Sequence, residues 1–441
     1  MSDNYGSLQR LYDIVEFLVD ERVGILRYAG EMPREAGAPD FFHFYAKACN
    51  TKAFTTQTNF SDSGGASANR GRAMAKAIGE AVERYCAAIY ERKHLPLTSY
   101  HSAPFRCVPP DDFSLYSKTQ YAEPHFPYQP FAHDSLIRWT PAWNLASLET
   151  WHVPASMVFI PYECDSRSEE VSIVQPISTG LACHCSQQEA AVSAICEVIE
   201  RDAFTIVWQA KLAMPRIRLG SLNRENQDLV ARFERTGNSA TIFNITLDHG
   251  VPTILSVLQC TALESPALIF AASSHLDPKE AVRKSLEELA HTRRHAQHLK
   301  NSLPPIVPEV NFENIWKQDR HLRLYSQHEN VRLADFIFSS DRTIDLDSIA
   351  SLDSGNSDRN LQFLAEKIHD VNHDVLLADL TTPDVRQLGL SVVRALIPGF
   401  HPLFMGYRLR ALGGRRLYEV PQQLGYAGIS SENYATDPFR L

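Results

Sequence analysis

The string AIGEAVERY, from Ala77 to Tyr85, returns as AICEVIERD, from Ala194 to Asp202, so that Glu80 and Glu197 lie 117 residues apart. The shared core is A-I-x-E-x-x-E-R, and the match reaches upstream to Ala73 and Ala190. Internal similarity of this kind marks one structural unit used twice. Each copy closes an Ala-rich, helix-forming run and carries two carboxylates three residues apart. On an α-helix, positions i and i+3 share a face. Glu80 and Glu83 therefore point the same way, as do Glu197 and Glu200. If the two helices face each other, four carboxylates converge and repel one another unless cations neutralise them. Hard divalent cations with oxygen ligands meet that need, typically magnesium bridging substrate phosphates. A single E-x-x-E-R is common on solvated helix faces; the duplication is what argues for a shared site.

Small residues precede both helices: Gly64, Gly65, Ala66 and Ser67 before one, Ser178, Thr179, Gly180, Leu181 and Ala182 before the other. A Gly/Ser-rich loop feeding a helix N-terminus presents free backbone N–H groups and suits phosphate. Both stretches are expected to be such loops. The Walker A pattern G-x-x-x-x-G-K-[ST] is absent.

SGGASANRGRAMAKAIGEAVERYC and STGLACHCSQQEAAVSAICEVIERDAFTIVW resemble the two signature helices of the YcaO family. AVRKSLEELAHTRR (Ala281 to Arg294) resembles its third helix. DLTTPDVRQLGLSVVRALIPGFHPL and LGGRRLYEVPQQLG resemble its C-terminal segments. The resemblance runs from about Asn50 to the chain end. It implies an α/β fold of mixed sheets packed with helices, with an internally repeated ATP-binding helix motif. It also implies an enzyme dependent on ATP and Mg2+ that activates backbone amides of a ribosomally made precursor peptide. The best-known branch consists of azoline-forming cyclodehydratases. Other branches make thioamides or amidines by the same ATP chemistry. A catalytically silent peptide-binding scaffold and a plain kinase or carboxylate–amine ligase are the readings from other classes.

Site roles follow from the resemblance position by position. Glu80, Glu83, Glu197 and Glu200 match the acidic residues that hold magnesium against the ATP phosphates. Glu189 matches a further acidic nucleotide-site residue, and Ser178 and Thr179 match the loop beside the phosphates. Arg201 matches an arginine on the phosphates, and Glu200 and Arg201 are the expected catalytic pair. A fixed cation there stabilises charge on a transferred phosphoryl group. Arg84, its counterpart in the first copy, reads as half of a structural ion pair. A family arginine that reaches ATP falls on Lys284, with Arg283 adjacent, and Glu288 matches an acidic position of the same helix. Ala66 stands where some members carry a loop lysine, and Lys76 where many carry a serine. Azoline-forming members end in a P-x-P-x-P tail close to the active site. Here the sequence reads NYATDPFRL, and Asp437-Pro438-Phe439 is expected to tuck toward ATP.

The 441 residues are 44% hydrophobic and 22% charged, ordinary for a globular chain. A net charge of −9 argues against a general nucleic-acid binder. The longest apolar stretches, such as VPTILSVL, are too short to span a bilayer. The first residues have no basic-then-apolar signal pattern, which implies the cytoplasm. Eight cysteines include no C-x-x-C. Cys183-His184-Cys185 has no second ligand pair at matching spacing, so free thiols are expected rather than zinc. None of the 17 histidines completes a Ser-His-Asp or Cys-His arrangement.

Residues 1–50 are expected to form a variable N-terminal segment, with a helix over Leu11–Val19 and a strand near Val23–Tyr28. Residues 51–441 form the catalytic domain, with an irregular insertion at about 94–135 and an exposed one at about 300–375. Signature helices are expected over Asn69–Arg92 and Gln187–Trp208. Strands are expected at Trp139–Ala142, Val153–Ile160, Ala240–Ile245, Thr253–Leu258, Ala267–Ala272, Val375–Leu380 and Leu390–Leu396. No winged-helix leader-binding module is evident. The resemblance therefore implies a homodimer, a leader-peptide-binding partner protein and a flavin-dependent dehydrogenase in the same complex.

Overall fold

The structure, a computed structural model, describes residues 2–165 and 167–429. In chain order the elements begin with α1 (Ser2–Leu18), β1 (Leu26–Glu31), β2 (Phe42–Ala48), β3 (Asp62–Ser67), α2 (Arg70–Ala87), β4 (Leu97–Thr98), α3 (Lys118–Tyr121), β5 (Ile137–Asn144) and β6 (Glu149–Pro154). There follow β7 (Leu181–His184), α4 (Gln187–Gln209), β8 (Arg216–Ile217), α5 (Arg224–Glu234), β9 (Asn238–Asn244), β10 (Thr253–Cys260), β11 (Leu268–Ser274) and α6 (Pro278–Ser302). The last are α7 (Gln318–Tyr325), β12 (Thr343–Ile344), α8 (Ser357–His369), β13 (Leu376–Asp379), α9 (Pro383–Gln387), β14 (Ser391–Leu396) and α10 (Arg416–Gln423).

The strands make three sheets, ordered β1-β2-β3, β11-β10-β9-β8-β12 and β4-β5-β13-β14-β7, with β6 on β5. Pairing is antiparallel except between β12 and β8. The long helices lie among the sheets: α2 packs on β2, β3 and β7, α4 on β7, β14 and β11, and α6 on β3, β10 and β11. This is the mixed α/β architecture expected from the sequence.

Helix α4 explains the arrangement. It starts at Ser186, whose side chain accepts the Glu189 N–H, and buries Ala190, Ala194, Ile195, Ile199 and Ile206. A helix apolar around most of its surface must sit inside the protein. Its carboxylates can then face only an internal cleft. Helix α2 begins at Asn69 in the same way and buries Ala73, Ala77, Ile78, Ala81 and Val82.

Several expectations need correction. Gly64–Ser67 is not a loop but part of β3, paired with β2 from Phe42 to Lys47. Its glycines serve close approach: a Cβ on Gly65 would lie 2.5 Å from the Ala73 carbonyl oxygen, and one on Gly64 2.5 Å from the His291 ring. Residue 50 marks no structural boundary, because β2 joins the sheet of β3, and Leu18, Leu26 and Phe44 share a core with α2. The strand expected over Val153–Ile160 stops at Pro154 and continues as a 3-10 turn over Ala155–Met157. Residues 300–375 are not merely an exposed insertion. They form α7 and α8 and bury Leu324, Ile337, Leu346, Leu364 and Ile368. The polar run near 351–356 is exposed, as its composition suggests. Asp437-Pro438-Phe439 lies outside the described residues.

Gly180 is constrained by both its backbone angle and its neighbours. It has φ +81, and a Cβ there would lie 2.4 Å from the Ala395 carbonyl oxygen. Gly250 has φ +71 with open space around it. Gly180→Ala should therefore cost about 2–3 kcal/mol or more, against about 1 kcal/mol for Gly250→Ala. Melting curves of the two variants check this. Equal losses would mean that close packing against β14 is not what demands glycine at residue 180.

Candidate active site

The repeat is structural as well as textual. In each copy the first glutamate accepts a backbone N–H from the glycine ahead of its helix: Gly64 to Glu80 Oε2 at 3.3 Å, Gly180 to Glu197 Oε2 at 3.1 Å. Each also faces the arginine one turn on, Arg84 to Glu80 at 3.2 Å and Arg201 to Glu197 at 3.6 Å. The second glutamates stand toward the space between the helices. Glu83 Oε1 accepts the N–H of Cys183, on β7, at 2.7 Å. That bond crosses from the first copy to the strand of the second and turns α2 toward α4. Glu200 faces Arg201 Nη1 at 3.6 Å.

These carboxylates feel one another. Burial, then the charges of Glu80 and Glu197, push the Glu83 carboxyl up to about 8. Burial pushes Glu200 up to about 7, with Arg201 opposing and Glu197 and Glu288 adding. Glu197 is thus the neighbour common to both. Among the described residues, no three His, Cys, Asp or Glu side chains stand close enough to hold a metal ion unaided. The glutamates share a field rather than a ready coordination shell. Magnesium commonly takes one or two carboxylates and completes its octahedron with water and substrate phosphates. The arrangement suits an ion that arrives with a triphosphate.

The remaining predicted residues divide. Ser178 and Thr179 lead into Gly180 in a turn closed by the Leu181 N–H on the Ser178 carbonyl, 3.2 Å. Lys284 sits beside Cys196 of α4, and its ammonium is pulled down by burial. Glu288 is exposed at the rim, within the field of Glu200 and Arg201. Arg283 points elsewhere: it is buried and held by Glu280 and Glu287, each at 2.7 Å. Glu189 lies two turns from Glu197, about 12 Å along the helix, and pairs with His184 at 2.7 Å. His184, through that pair and its Ser186 hydroxyl neighbour, holds the Glu189 carboxyl below the usual range. The eight cysteines are free thiols.

Sequence reading passed over one charged residue. Arg394 lies in β14 opposite Leu181 of β7, is 3% exposed, and borders an apolar cleft of ≈ 840 Å³ (open mouth included) that Thr179 also lines. The available signal was a lone arginine inside the apolar run LSVVRALI.

The family model described as YcaO cyclodehydratase, ATP- and Mg2+-binding, matches residues 64–401. The chain belongs to the YcaO family. It is an ATP-dependent cyclodehydratase, with ATP and Mg2+ as its cofactors. An uncharacterized protein of Methanothermobacter thermautotrophicus is 29% identical over 362 residues, 79% of this chain and 85% of that one. An uncharacterized protein in the tfuA 3′ region of Rhizobium leguminosarum bv. trifolii is 27% identical over 151 residues, 31% of this chain and 36% of that one. The fold is similar to that of a heterocyclase in complex with substrate and cofactor, with TM-score 0.79 and 19% identity over 98% of this chain. This chain covers 57% of that heterocyclase. It is also similar to YcaO from Methanopyrus kandleri bound with AMPPCP and Mg2+, with TM-score 0.64 and 19% identity over 89% of this chain and 90% of that one. Among the described residues no helix is long and apolar enough to cross a membrane.

The carboxylate field fixes a pH dependence. Unfolded, a glutamate releases its proton near 4.5; folded, Glu83 keeps it to about 8 and Glu200 to about 7. Folding therefore binds protons in this range. The stability of the ligand-free protein is full below the unfolded value and falls as pH rises, by about 1.4 kcal/mol per pH unit for each group while its proton is retained. Raising pH from 7 to 8.5 should lower the melting temperature of metal-free protein, and Glu83→Gln should flatten that slope. An equally steep slope in the variant would show that the strain lies elsewhere.

Proposed function

We propose that this YcaO enzyme makes thiazolines or oxazolines in a ribosomally made precursor peptide by phosphorylating a backbone amide oxygen. The observation that supports this best is the inward-facing carboxylate field of the doubled helix motif. Arg84 and Arg201 offset part of that charge, and the proton held by Glu83 to about pH 8 marks where a cation is still wanted. In this reading Glu80, Glu83, Glu197 and Glu200 hold magnesium, and Ser178, Thr179, Lys284 and Glu288 border the nucleotide. Glu189 and Arg283, tied to His184 and to Glu280 and Glu287, support the site from outside. Magnesium, when bound, neutralises the triphosphate and holds it for in-line transfer.

A backbone amide is a poor electrophile with a very poor oxygen leaving group. A Cys, Ser or Thr side chain of the peptide adds to the preceding carbonyl carbon, and its proton passes to solvent. The carbonyl oxygen takes the released electron pair and attacks the γ-phosphorus as the bond to ADP breaks. Loss of the amide N–H proton and departure of phosphate close the C=N bond. The amide oxygen leaves in inorganic phosphate. Arg201, beside Glu197 and Glu200, stabilises the charge on the transferring group, and the protein's main task is positioning and neutralisation.

The heterocyclase with substrate and the Escherichia coli microcin synthetase McbBCD complex with pro-MccB17 bound suggest the wider assembly by analogy of fold. We place beside this chain a second copy of itself, a leader-peptide-binding partner protein and a flavin-dependent dehydrogenase.

Incubation of the assembled complex with a precursor peptide labelled with 18O in its backbone carbonyls tests the chemistry. The expected result is loss of one water mass per ring, ADP formation and 18O in the released phosphate. Glu200→Gln should lower that turnover by about a hundredfold or more. Exchange of oxygen for sulfur or nitrogen would replace azoline formation by thioamide or amidine formation. An absence of ATP turnover would leave a binding scaffold, and an unimpaired Glu200→Gln enzyme would remove the carboxylate field from the mechanism.

A further inference from the structure

Arg394 is a buried cation with unspent hydrogen bonds. Its Nη2 donates to the Ile177 carbonyl at 2.7 Å, but Nε and Nη1 have no partner. Buried N–H groups are nearly always paired, and leaving them unpaired costs free energy. Among the described residues no carboxylate lies within ion-pair distance of it, whereas Arg201 faces both Glu197 and Glu200. The charged groups it does feel are Glu197, which attracts it, and Arg84, which repels it.

Its placement is fixed from both sides. The next residue, Ala395, donates its N–H to the Gly180 carbonyl at 2.7 Å. Gly180 in turn donates to Glu197. Arg394 therefore stands behind the Ser178–Gly180 turn, with the carboxylates on one side. On the other side lies the cleft bordered by Leu115, Met157, Val174, Leu396 and Phe404. Arg394 and Thr179 both line this cleft, and Arg394 also feels the charge of Glu197.

We propose that Arg394 is a catalytic residue, whose free N–H groups bind the phosphoryl group as it passes to the amide oxygen, with the apolar cleft seating the peptide residue that carries that amide. The occupant is matched by charge and shape. A planar fork of donors fits phosphoryl and carbonyl oxygens, and an apolar wall fits a neighbouring side chain rather than a second nucleotide. This deepens the function proposed above and rests on it for the identity of the acceptor. The phosphoryl contact itself stands apart from that identity.

The probe is orthovanadate with MgADP, which mimics a phosphoryl group in transfer, read by thermal shift and calorimetry on the full chain. Arg394→Ala should weaken vanadate binding by about tenfold or more while MgADP affinity stays within about threefold. Added guanidinium should restore part of the loss, and Arg394→Lys should retain more than Arg394→Ala. Peptide-dependent kcat should fall by about a hundredfold with the KM for ATP little changed. An equal loss of MgADP and vanadate affinity would reduce Arg394 to a clamp on Ile177 and overturn the proposal, as would unchanged binding of both. The vanadate readout needs no peptide, so failure of the azoline chemistry would leave it standing and distinguishable. In that event the cleft is tested by Val174→Trp. A rise in KM for the modified peptide, with vanadate binding intact, supports its role as the acceptor seat, and an unchanged KM refutes it.

Discussion

The fold depends on how two helices are made to present like charges to each other without pushing apart. Backbone dipoles do this. The Gly64 and Gly180 N–H groups anchor Glu80 and Glu197, and the Cys183 N–H anchors Glu83 across the two copies. A carboxylate that accepts a backbone N–H keeps a preferred orientation even when its neighbours disfavour its charge. Gly64 and Cys183 lie on β3 and β7, and Gly180 lies in the turn that enters β7, so the repulsion cannot relax by rotating a helix. Burial first, and the repulsion second, raises the proton affinity of Glu83, while at Glu200 burial does so against the opposing charge of Arg201. The burial that makes α4 apolar on most faces is what gives this repulsion its strength.

How far the sequence exposed this follows from the range of each interaction. The repeat, the long helices and the strands β9, β10, β11, β13 and β14 were legible because each has a period that burial stamps on it, as in Ile195, Ile199 and Ile206 of α4. β2 and β3 were not. Gly64–Ser67 carries no β-branched or aromatic residue, and its place in a sheet is set by α2 and α6 pressing close from outside, a tertiary fact. The expected site residues Arg283 and Lys284 are neighbours in sequence but turn apart. Adjacent helix positions point about 100° from each other, and only the position of Glu280 and Glu287 decides which one is locked. Arg394 was hidden because a strand that is apolar elsewhere reads as core.

Two departures from the family pattern have one structural explanation. Ala66 stands where a loop lysine occurs in some members, and Lys76 where a serine does. In the fold the Lys76 ammonium reaches the Ala66 carbonyl at 3.1 Å and Glu287 at 2.8 Å. The cation is supplied from α2 rather than from the strand. Lys76 and Arg283 together hold the Glu287 carboxylate well below its ordinary range, at about 2. That buried cluster ties α2 to α6 at the edge of the site. It also explains why Arg283 is not free to turn inward: leaving Glu287 with less compensation in a desolvated place would cost several kcal/mol.

The opposite wall of the cleft is held by a second buried charge network. Arg416, from α10, lies between Asp202 of α4 and Asp248, each at 2.7 Å, and stacks over Phe400. Asp202 also accepts the His401 N–H at 2.7 Å. Asp202 directly follows Arg201, so the helix that carries Glu197, Glu200 and Arg201 also fixes the backbone just beyond β14. Phe400 and His401 border the apolar cleft, while Glu197 and Glu200 border the carboxylate field. One rigid helix therefore sets the distance between the two compartments. The phosphoryl transfer proposed above needs that separation held constant, because misplacement of about an ångström is costly in rate. The apolar burial along α4 and the charged ties at its sides are two parts of that single constraint.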